Sequence, residues 1–247
     1  TEDDGSVCGI WTAADARKLD FSQPDTAEIP LSRVMSSPVR SISDTTRLSS
    51  ATSTMLQYGI RRLLVTDKYN RAVGLVTQTD IIRQQKIEFY LQFRDVGSCL
   101  NGAPLQLIAQ LPLSEAVKQM QQQDVAAAVV IFADGSQGIV TEHDLIHYLA
   151  LQKNCLTVGE LANRALLAVD SNTTLVQAVK LLTEHQLRHI AVKQGQALQG
   201  ILSFTDILRN VEHAYVDQLR TALVARDAAL RTSADYLRLA HKVIDAS

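Results

Sequence analysis

The sequence predicts an α/β fold built from tandem repeats, and three observations support this prediction. First, a seven-residue pattern of glycine, two apolar residues, Ser or Thr, two variable residues and aspartate occurs four times. Second, its aspartates are 65, 64 and 62 residues apart, and such regular spacing indicates a tandem repeat. Third, the segments around three of the copies follow one order of helical and apolar patterns. The copies are Gly9–Asp15, Gly74–Asp80, Gly138–Asp144 and Gly200–Asp206.

Each copy of the motif predicts a junction at which a buried strand ends and a helix begins. The hydroxyl residue would cap the helix, and the positive end of the helix dipole would favour the aspartate in the first turn. Polar turns before the later three copies predict tight hairpins, at Asp67–Asn70, Asp134–Gly135 and Gln194–Gln196. Capped helices are predicted further upstream, at Asp44–Leu48, Leu111–Glu115 and Asp170–Thr174. The predicted unit is therefore strand, helix, strand, strand, helix.

This unit and its motif resemble the cystathionine-β-synthase (CBS) domain, and the resemblance covers nearly all of residues 1–209. It implies that the repeats pack in pairs, called Bateman modules, with ligand clefts between them. Such modules bind adenine nucleotides or related adenosyl ligands, and they regulate an enzyme or transporter rather than catalyse a reaction. We therefore expect no catalytic residues in this chain and no resident metal.

The spacing of the motifs predicts how the chain is divided. We expect repeats 3 and 4 to form one pair, and repeat 2 to pair with what remains of repeat 1. The first repeat begins at its hairpin turn, so we expect the chain to be a fragment of a longer protein. The predicted divisions are 1–29 for the end of repeat 1 and a linker, 30–85 for repeat 2, 86–98 for a helical linker, 99–150 for repeat 3, 151–209 for repeat 4 and 210–247 for an output helix.

Composition and charge narrow the class of protein. With 247 residues, 46% of them hydrophobic and 20% charged, the chain can bury two packed cores. A formal net charge of −2 gives no electrostatic reason to expect binding to nucleic acid or an anionic membrane. No apolar run reaches the roughly 18 residues that a membrane span needs. Three separated cysteines, Cys8, Cys99 and Cys155, fit a reducing compartment, so we expect a cytoplasmic protein.

The last part of the chain has a seven-residue apolar period, at Val216, Leu223, Leu230, Leu237 and Ile244. This period predicts a parallel dimeric coiled coil with a weak companion seam, and the alternative is a helix that caps its own domain. The segment Leu237–Asp245 resembles the entry helix of a PAS sensor domain. Short phrases at Gly9–Thr12, Gln78–Asp80 and Gln85–Tyr90 resemble bacterial proteins in which CBS repeats precede PAS, diguanylate cyclase (GGDEF) and phosphodiesterase (EAL) domains. That resemblance implies a homodimer whose downstream effector turns over cyclic-di-GMP.

The CBS resemblance also implies which residues bind the ligand, expected to be AMP, ADP, ATP or S-adenosylmethionine. The motif hydroxyl and aspartate would bind the ribose, and adenine would lie against the strand near Val39 or its counterparts around Ala103 and Ala165. Cationic side chains that could bind a phosphate precede the middle strands of repeats 2 and 4, whereas repeat 3 has alanines there. The alternative to phosphate binding is that the arginines form surface salt bridges. The candidates are Thr12 with Asp15, Thr77 with Asp80, Arg61 and Arg62, Thr141 with Asp144, and Ser203 with Asp206, Arg188 and His189.

Two other interpretations concern metal binding and the absence of a ligand. His143 and His147 have the spacing of a zinc-binding helix, but Asp144 between them belongs to the repeated motif, so we expect a solvated helix face. The chain could also be a dimerisation scaffold with empty clefts, or the regulatory portion of a metabolic enzyme or transporter. A screen of adenine nucleotides separates a sensor from a scaffold.

Overall fold

The computed structural model describes residues 7–23, 25–84, 91, 94–151, 157–213 and 226. In this part of the chain, three sheets share one topology: the first strand is parallel to the middle strand, and the middle strand is antiparallel to the third. The strands are β1 (Ser41–Ser43), β2 (Arg62–Thr66) and β3 (Ala72–Thr77) in repeat 2, β4 (Gln106–Ile108), β5 (Ala127–Ile131) and β6 (Gln137–Thr141) in repeat 3, and β7 (Ala168–Asp170), β8 (His189–Gln194) and β9 (Ala197–Ser203) in repeat 4.

Helices connect and follow these strands in the predicted order. One helix joins the first strand of each sheet to the middle strand, and another begins directly after the motif hydroxyl. The predicted α/β fold class is confirmed. The helices are α1 (Ala13–Ala16), α2 (Leu31–Val34), α3 (Leu48–Gln57), α4 (Gln78–Gln84), α5 (Leu113–Gln122), α6 (Glu142–Leu151), α7 (Val158–Leu161), α8 (Leu175–Glu184) and α9 (204–213), with short 3-10 turns at Thr26–Glu28 and Val96–Cys99.

Only one of the three predicted upstream helix caps is made by a side chain. Thr174 caps α8 and accepts from the backbone N–H of Gln177, as expected. The caps expected for α3 and α5 were wrong, because the cap residues are Arg47 and Pro112 and neither makes a side-chain cap hydrogen bond. Before α3, the polar side chains bond to one another instead: the Ser43 hydroxyl lies 2.9 Å from the hydroxyl of Thr45.

Within a pair of repeats, the short segment that precedes the sheet of one repeat packs on the other repeat. We call residues 31–36, 94–101 and 157–163 the lead-in segments of repeats 2, 3 and 4. The repeat 3 segment binds repeat 4, where Val96 N–H donates to Thr173 O at 2.9 Å. The repeat 4 segment binds repeat 3, where Val158 N–H donates to Leu111 O at 2.9 Å. This reciprocal exchange ties repeats 3 and 4 into one unit.

Repeat 2 contacts repeat 1 in the same way. Ile10 and Ser36 form an antiparallel bridge with two backbone hydrogen bonds, of 3.0 and 2.8 Å. The equivalent bridge in the other pair joins Ile139 to Asn163, with bonds of 2.9 and 2.8 Å. The two pairs are therefore built on one plan in the described part of the chain.

The helices pack the two pairs against each other. Met55 and Ile81 of repeat 2 share one buried core with Leu182 and Ile207 of repeat 4. A second helical cluster joins repeat 1 to repeat 3 through Ala16, Leu113 and Leu145. Repeats 2, 3 and 4 thus each contact one neighbour through a lead-in segment and another through their helices.

Several predictions concern residues outside the described ranges. These are most of the helical linker predicted for 86–98, nearly all of the helix predicted for 210–247, and Cys155. The apolar seam from Val216 to Ile244 therefore stays a prediction. Among the described residues, no helix has both the length and the apolar character that crossing a bilayer requires.

Candidate functional site

All four motifs fold their aspartate back onto their own hydroxyl residue. In each copy one carboxylate oxygen, Oδ2, accepts two hydrogen bonds, one from the backbone N–H and one from the hydroxyl of the motif Ser or Thr. For Thr141 and Asp144 both distances are 2.7 Å. This oxygen therefore holds the strand-to-helix junction together, and only the other oxygen, Oδ1, is available for a ligand.

The second carboxylate oxygen distinguishes the four copies. Asp15 Oδ1 accepts from Lys18 Nζ at 2.7 Å and from Ser36 Oγ at 2.9 Å, and the side chain is buried. Asp206 Oδ1 accepts from the side-chain amide of Asn101. Within the described ranges no protein donor reaches Oδ1 of Asp80, which is exposed, or of Asp144, which is half-buried. Asp144 thus combines a free oxygen with partial burial.

Asp144 lies in a cleft of about 320 Å³ between repeats 3 and 4, which we call the 3/4 cleft. It is lined by Thr141 and Asp144 and by the apolar segment Ala165–Leu167, just before β7. Arg188 and His189, at the start of β8, line the inner end together with Arg61 of repeat 2. Hydroxyl, carboxylate, apolar surface and guanidinium groups thus meet in one space.

A smaller cleft of about 110 Å³, the central cleft, lies where repeats 2, 3 and 4 meet. It shares Arg61, Arg188 and His189 with the 3/4 cleft and adds Arg62. Polar groups complete its wall, and the Thr205 hydroxyl donates to Gln78 Oε1 at 2.9 Å. The remaining residues that line it are Thr77, Thr79, Ala126, Ser203 and Phe204.

The side chains that line the central cleft carry an excess of positive charge. Burial, followed by the neighbouring charges of Arg188 and Arg61, lowers the pKa of Arg62. Burial and the charges of Arg61 and Arg188 lower the pKa of His189 to about 3, so this imidazole is neutral at pH 7. Among the described residues, neither Arg62 nor Arg188 has a carboxylate oxygen within 4.0 Å. An anion placed between these arginines would therefore reduce their mutual repulsion.

Glu142 is a functional candidate that the sequence interpretation missed. It follows the motif hydroxyl Thr141, is only 2% exposed, and pairs with Arg17 Nε of repeat 1 at 2.6 Å and with Arg61 of repeat 2. Arg17 also lies 3.2 Å from Asp124 of repeat 3. A signal was present in the sequence, because the other copies of the motif have Ala, Gln and Phe at this position and only repeat 3 places an acid there.

The structure groups the predicted site residues differently from the sequence interpretation. The cations of repeat 4, Arg188 and His189, line a cleft with the motif of repeat 3 rather than with their own Asp206. This happens because the lead-in exchange sets the residues before the strands of one repeat against the motif of its partner. Thr77, Arg62 and Ser203 line the central cleft, whereas Asp80, Asp206 and Val39 line neither cleft.

The counterpart of the 3/4 cleft lies between repeats 1 and 2 and has a different chemistry. This cleft of about 500 Å³ is lined by Lys18, Arg33, Arg40 and Tyr58, with the Arg40 guanidinium 3.9 Å from the centre of the Tyr58 ring. Although burial raises the pKa of Asp15, hydrogen bonds from Lys18, Ser36 and Thr12 outweigh it and lower that pKa. The side chains of Thr12 and Asp15, two of the predicted ribose ligands, are therefore already hydrogen-bonded within the protein. Residues 37–39, expected to form a strand against the adenine, precede β1.

The two histidines with zinc-like spacing contact each other rather than a third ligand. The rings of His143 and His147 lie edge to face at 4.8 Å, and both side chains are exposed. Over the described ranges, no group of three or more His, Cys, Asp or Glu residues is arranged to hold a metal ion.

Comparison with known proteins agrees with this architecture. The CBS domain family matches residues 31–86, 106–151 and 158–213. The chain is 29% identical over 132 residues to the mitochondrial CBS domain-containing protein CBSX3 of Arabidopsis thaliana, which covers 50% of this chain and 64% of that protein. It is 34% identical over 109 residues to hypoxic response protein 1 of Mycobacterium tuberculosis, covering 42% of this chain and 76% of that protein. It spans 44% of the length of protein MJ1404 of Methanocaldococcus jannaschii, at 22% identity.

Solved structures share the arrangement of repeats. Protein MJ1225 of Methanocaldococcus jannaschii superposes with a TM-score of 0.70 at 14% identity, covering 85% of both chains. An uncharacterised conserved protein of Pyrococcus horikoshii superposes with a TM-score of 0.60 at 20% identity, covering 85% of this chain and 88% of that one. These likenesses extend over repeats of both pairs and concern the fold. With three matched segments that span more than half of its length, the chain belongs to the CBS domain family.

Proposed function

We propose that this chain is a regulatory module that binds a phosphorylated adenosine ligand in the 3/4 cleft. One observation carries the proposal: Asp144, with a free carboxylate oxygen, shares one cleft with an apolar wall and with arginines from two other repeats. The groups that a nucleoside monophosphate needs therefore occur once together in the described part of the chain.

The ribose would bind to Asp144 and Thr141. A carboxylate oxygen with no protein donor can accept a hydrogen bond from a sugar hydroxyl, and such bonds to a charged group are worth roughly 1.5–3 kcal/mol. Asp144 Oδ2 is already occupied by Thr141, so Oδ1 would make this contact. The ligand would then be held at a strand-to-helix junction that the hydrogen bonds between Thr141 and Asp144 keep rigid.

The base and the phosphate would lie at opposite ends of the cleft. Ala165, Leu166 and Leu167 offer an apolar surface on which a flat adenine ring can be buried. Arg188 and Arg61 at the inner end can neutralise a phosphate, and the central cleft behind them extends the positive region to Arg62. AMP offers one base, one ribose and one phosphate for these regions. ADP and ATP would place further phosphates toward the arginines, whereas S-adenosylmethionine would place its methionine chain there instead of a phosphate.

Calorimetry with AMP on the 247-residue chain tests the proposal. Asp144→Ala should weaken AMP binding roughly 10–100-fold. Asp80→Ala is the matched control, because it removes the equivalent aspartate of repeat 2, which lines neither cleft, and it should leave AMP affinity unchanged. Equal affinities for wild type and Asp144→Ala would refute this site. If AMP, ADP, ATP and S-adenosylmethionine all fail to bind, a dimerisation scaffold with empty clefts becomes the better interpretation.

We further propose that ligand occupancy is relayed through residues 210–247 of a homodimer to downstream PAS, GGDEF or EAL domains, and so to cyclic-di-GMP turnover. The seven-residue apolar period from Val216 to Ile244 supports this proposal. A Leu230→Cys substitution in a background without the native cysteines should cross-link two chains, at a rate that changes when AMP is added. A monomer that never cross-links would contradict the relay while leaving ligand binding in the 3/4 cleft intact.

A further inference from the structure

The residue that directly follows the motif hydroxyl is buried in every copy, and in repeat 3 it is an acid. These residues are Ala13, Gln78, Glu142 and Phe204. Of the four, only Glu142 carries a charge. Glu142 also lines the 3/4 cleft, two residues before Asp144. A buried negative charge is therefore built into the cleft proposed for a phosphorylated ligand.

Two arginines from other repeats hold the Glu142 carboxylate in place. Arg17 of repeat 1 places its Nε 2.6 Å from Oε1, and Arg61 of repeat 2 pairs with Oε2. Arg17 is itself fixed to repeat 3, because it donates to Val125 O at 3.2 Å and to Asp124 Oδ1 at 3.2 Å. Glu142 is therefore held beside Arg61 rather than turned toward solvent.

The Glu142–Arg61 pair sets the charge at the inner end of the 3/4 cleft. Arg61 and Arg188 each contribute one positive charge there, Glu142 contributes one negative charge, and the neighbouring imidazole of His189 is neutral at pH 7. These groups leave a net charge of +1, and the charge would be +2 without the acid. Among the described residues, Arg188 has no carboxylate oxygen within 4.0 Å. One guanidinium group at this end is thus free for an anion, and the other is already shared.

A ligand with several phosphates meets this acid more directly than a monophosphate does. AMP needs one cation for its phosphate, and Arg188 can supply it. A further phosphate that extends toward Arg61 has two options. It displaces Glu142 from Arg61, which leaves the buried carboxylate with Arg17 alone, or it lies beside the carboxylate and is repelled by it. Either option weakens binding by an amount that grows with the charge of the ligand.

We propose that Glu142 is a specificity-determining residue of the 3/4 cleft, which limits the negative charge that a ligand can place beside Arg61. The cleft then discriminates by charge, and it accepts a monophosphate more readily than a di- or triphosphate of the same nucleoside. Adenosine, which carries no phosphate, escapes this effect. This role rests on the proposed function, because it concerns the ligand of the 3/4 cleft.

Arg17 acts on the same cleft through Glu142. It lines neither the 3/4 cleft nor the central cleft, so we expect it to make no contact with the ligand. Its guanidinium group nevertheless neutralises part of the Glu142 charge. Removing Arg17 should make Glu142 more repulsive to a phosphate, whereas removing the Glu142 charge should make the cleft more attractive to one. The two substitutions should therefore change nucleotide affinity in opposite directions.

Calorimetry with adenosine, AMP, ADP and ATP in magnesium-free buffer tests the role of Glu142. In the 247-residue chain, Glu142→Gln should tighten AMP binding roughly fivefold and ATP binding roughly 20-fold, with ADP between them, because the repulsion that is removed grows with ligand charge. Adenosine affinity should stay the same. The matched control is Glu115→Gln, which removes an exposed acid from α5 of the same repeat and should leave all four affinities unchanged.

Arg17→Met is the second variant. It keeps the role of Glu142 testable if Glu142→Gln does not fold, since Glu142 still pairs with Arg61 in this variant. It should weaken ATP binding about tenfold and AMP binding about threefold, and leave adenosine binding unchanged. Arg47→Met, which removes an exposed arginine at the start of α3, is its control and should change none of these affinities.

Two results would overturn the role of Glu142. One is a change in adenosine affinity as large as the change in ATP affinity, which would mean that the substituted residue shapes the cleft. The other is an ATP affinity that Glu142→Gln leaves unchanged or lowers while the wild-type chain binds AMP. In both cases the proposed function stands as long as Asp144→Ala weakens AMP binding. If none of the four compounds binds to any of these chains, the proposed function fails and the role of Glu142 fails with it.

Discussion

Glu142 of repeat 3 forms a buried ion pair with Arg61 of repeat 2, and this pair connects the repeated motif of one Bateman module to the other module. Glu142 follows Thr141 directly, while Arg61 lines both the 3/4 cleft and the central cleft. A phosphate bound at the inner end of the 3/4 cleft would therefore compete with Glu142 for the same guanidinium group. If a ligand binds there as proposed, this competition would make the contact between the modules sensitive to it.

Removing the Glu142 charge should destabilise the chain. Glu142→Gln keeps the shape of the side chain but leaves Arg17 and Arg61 without their shared counter-charge, and losing one partner of a buried ion pair costs about 3 kcal/mol. Urea unfolding should measure this loss. The control is Glu115→Gln, whose exposed pair with Lys118 spans 4.0 Å, and it should change stability by less than about 0.5 kcal/mol. Equal losses for the two variants would contradict a structural role for the buried pair.

Arg188 should distinguish AMP from adenosine. Because the guanidinium at the inner end of the 3/4 cleft would contact only the phosphate, Arg188→Met should weaken AMP binding about tenfold and leave adenosine binding unchanged. Calorimetry with both ligands measures the difference. Arg47→Met removes an exposed arginine at the start of α3 and serves as the control. A parallel loss of both ligands would mean that Arg188 shapes the cleft instead of binding phosphate.

His189 should make the chain less stable in mild acid. Its pKa is about 3 in the folded chain against 6.5 in the unfolded chain, so between these values the unfolded state binds more protons. The stability that neutral His189 provides is present in full above pH 6.5 and decreases as the pH falls toward 3, by up to about 1.4 kcal/mol per pH unit. Urea midpoints of His189→Gln should fall less than those of wild type between pH 6.5 and 4. The two profiles should be parallel from pH 7 to 9, and parallel profiles in acid as well would disprove the assignment.

Gln186 occupies a backbone conformation that glycine tolerates better. It follows α8 with φ of 54°, where the equivalent residue after α3 is Gly59 with φ of 63°. Gln186→Gly should therefore stabilise the chain by up to about 1 kcal/mol. Lys180→Gly, on the exposed face of α8, should instead cost about 1 kcal/mol. Thermal unfolding of both variants decides the matter, and a loss of stability in Gln186→Gly would contradict the argument.

The repeat made most of the fold predictable from the sequence. A motif that recurs at a fixed spacing reports the same strand-to-helix junction each time, so the order of elements followed once one unit had been interpreted. The failed caps at Arg47 and Pro112 show where local patterns mislead, because polar residues near a helix start can bond to one another instead. The packing of repeat 2 on repeat 4 could not be predicted, since an apolar period shows that a face is buried and not what buries it.

The candidate site was only partly predictable for a related reason. Its residue types were found, because hydroxyls, aspartates and arginines stand out in the aligned repeats. Their grouping was not, since Arg61, Asp144 and Arg188 come from three repeats and meet only after the lead-in segments exchange and the helices pack. Glu142 escaped notice because a charged residue directly after the motif hydroxyl looks like a solvated helix residue until its burial is known.

The internal hydrogen bonds of the motif have a consequence for how such chains are surveyed. Since Asp Oδ2 is used by the junction in every copy, the motif stabilises the backbone of this chain whether or not a ligand binds. Counting its occurrences in a genome therefore counts structural units. Estimating how many molecules of ligand a chain can hold requires inspecting Oδ1 and the surroundings of each copy. Here Oδ1 has no protein donor in Asp80 and Asp144 among the described residues, and of these two only Asp144 lines the 3/4 cleft.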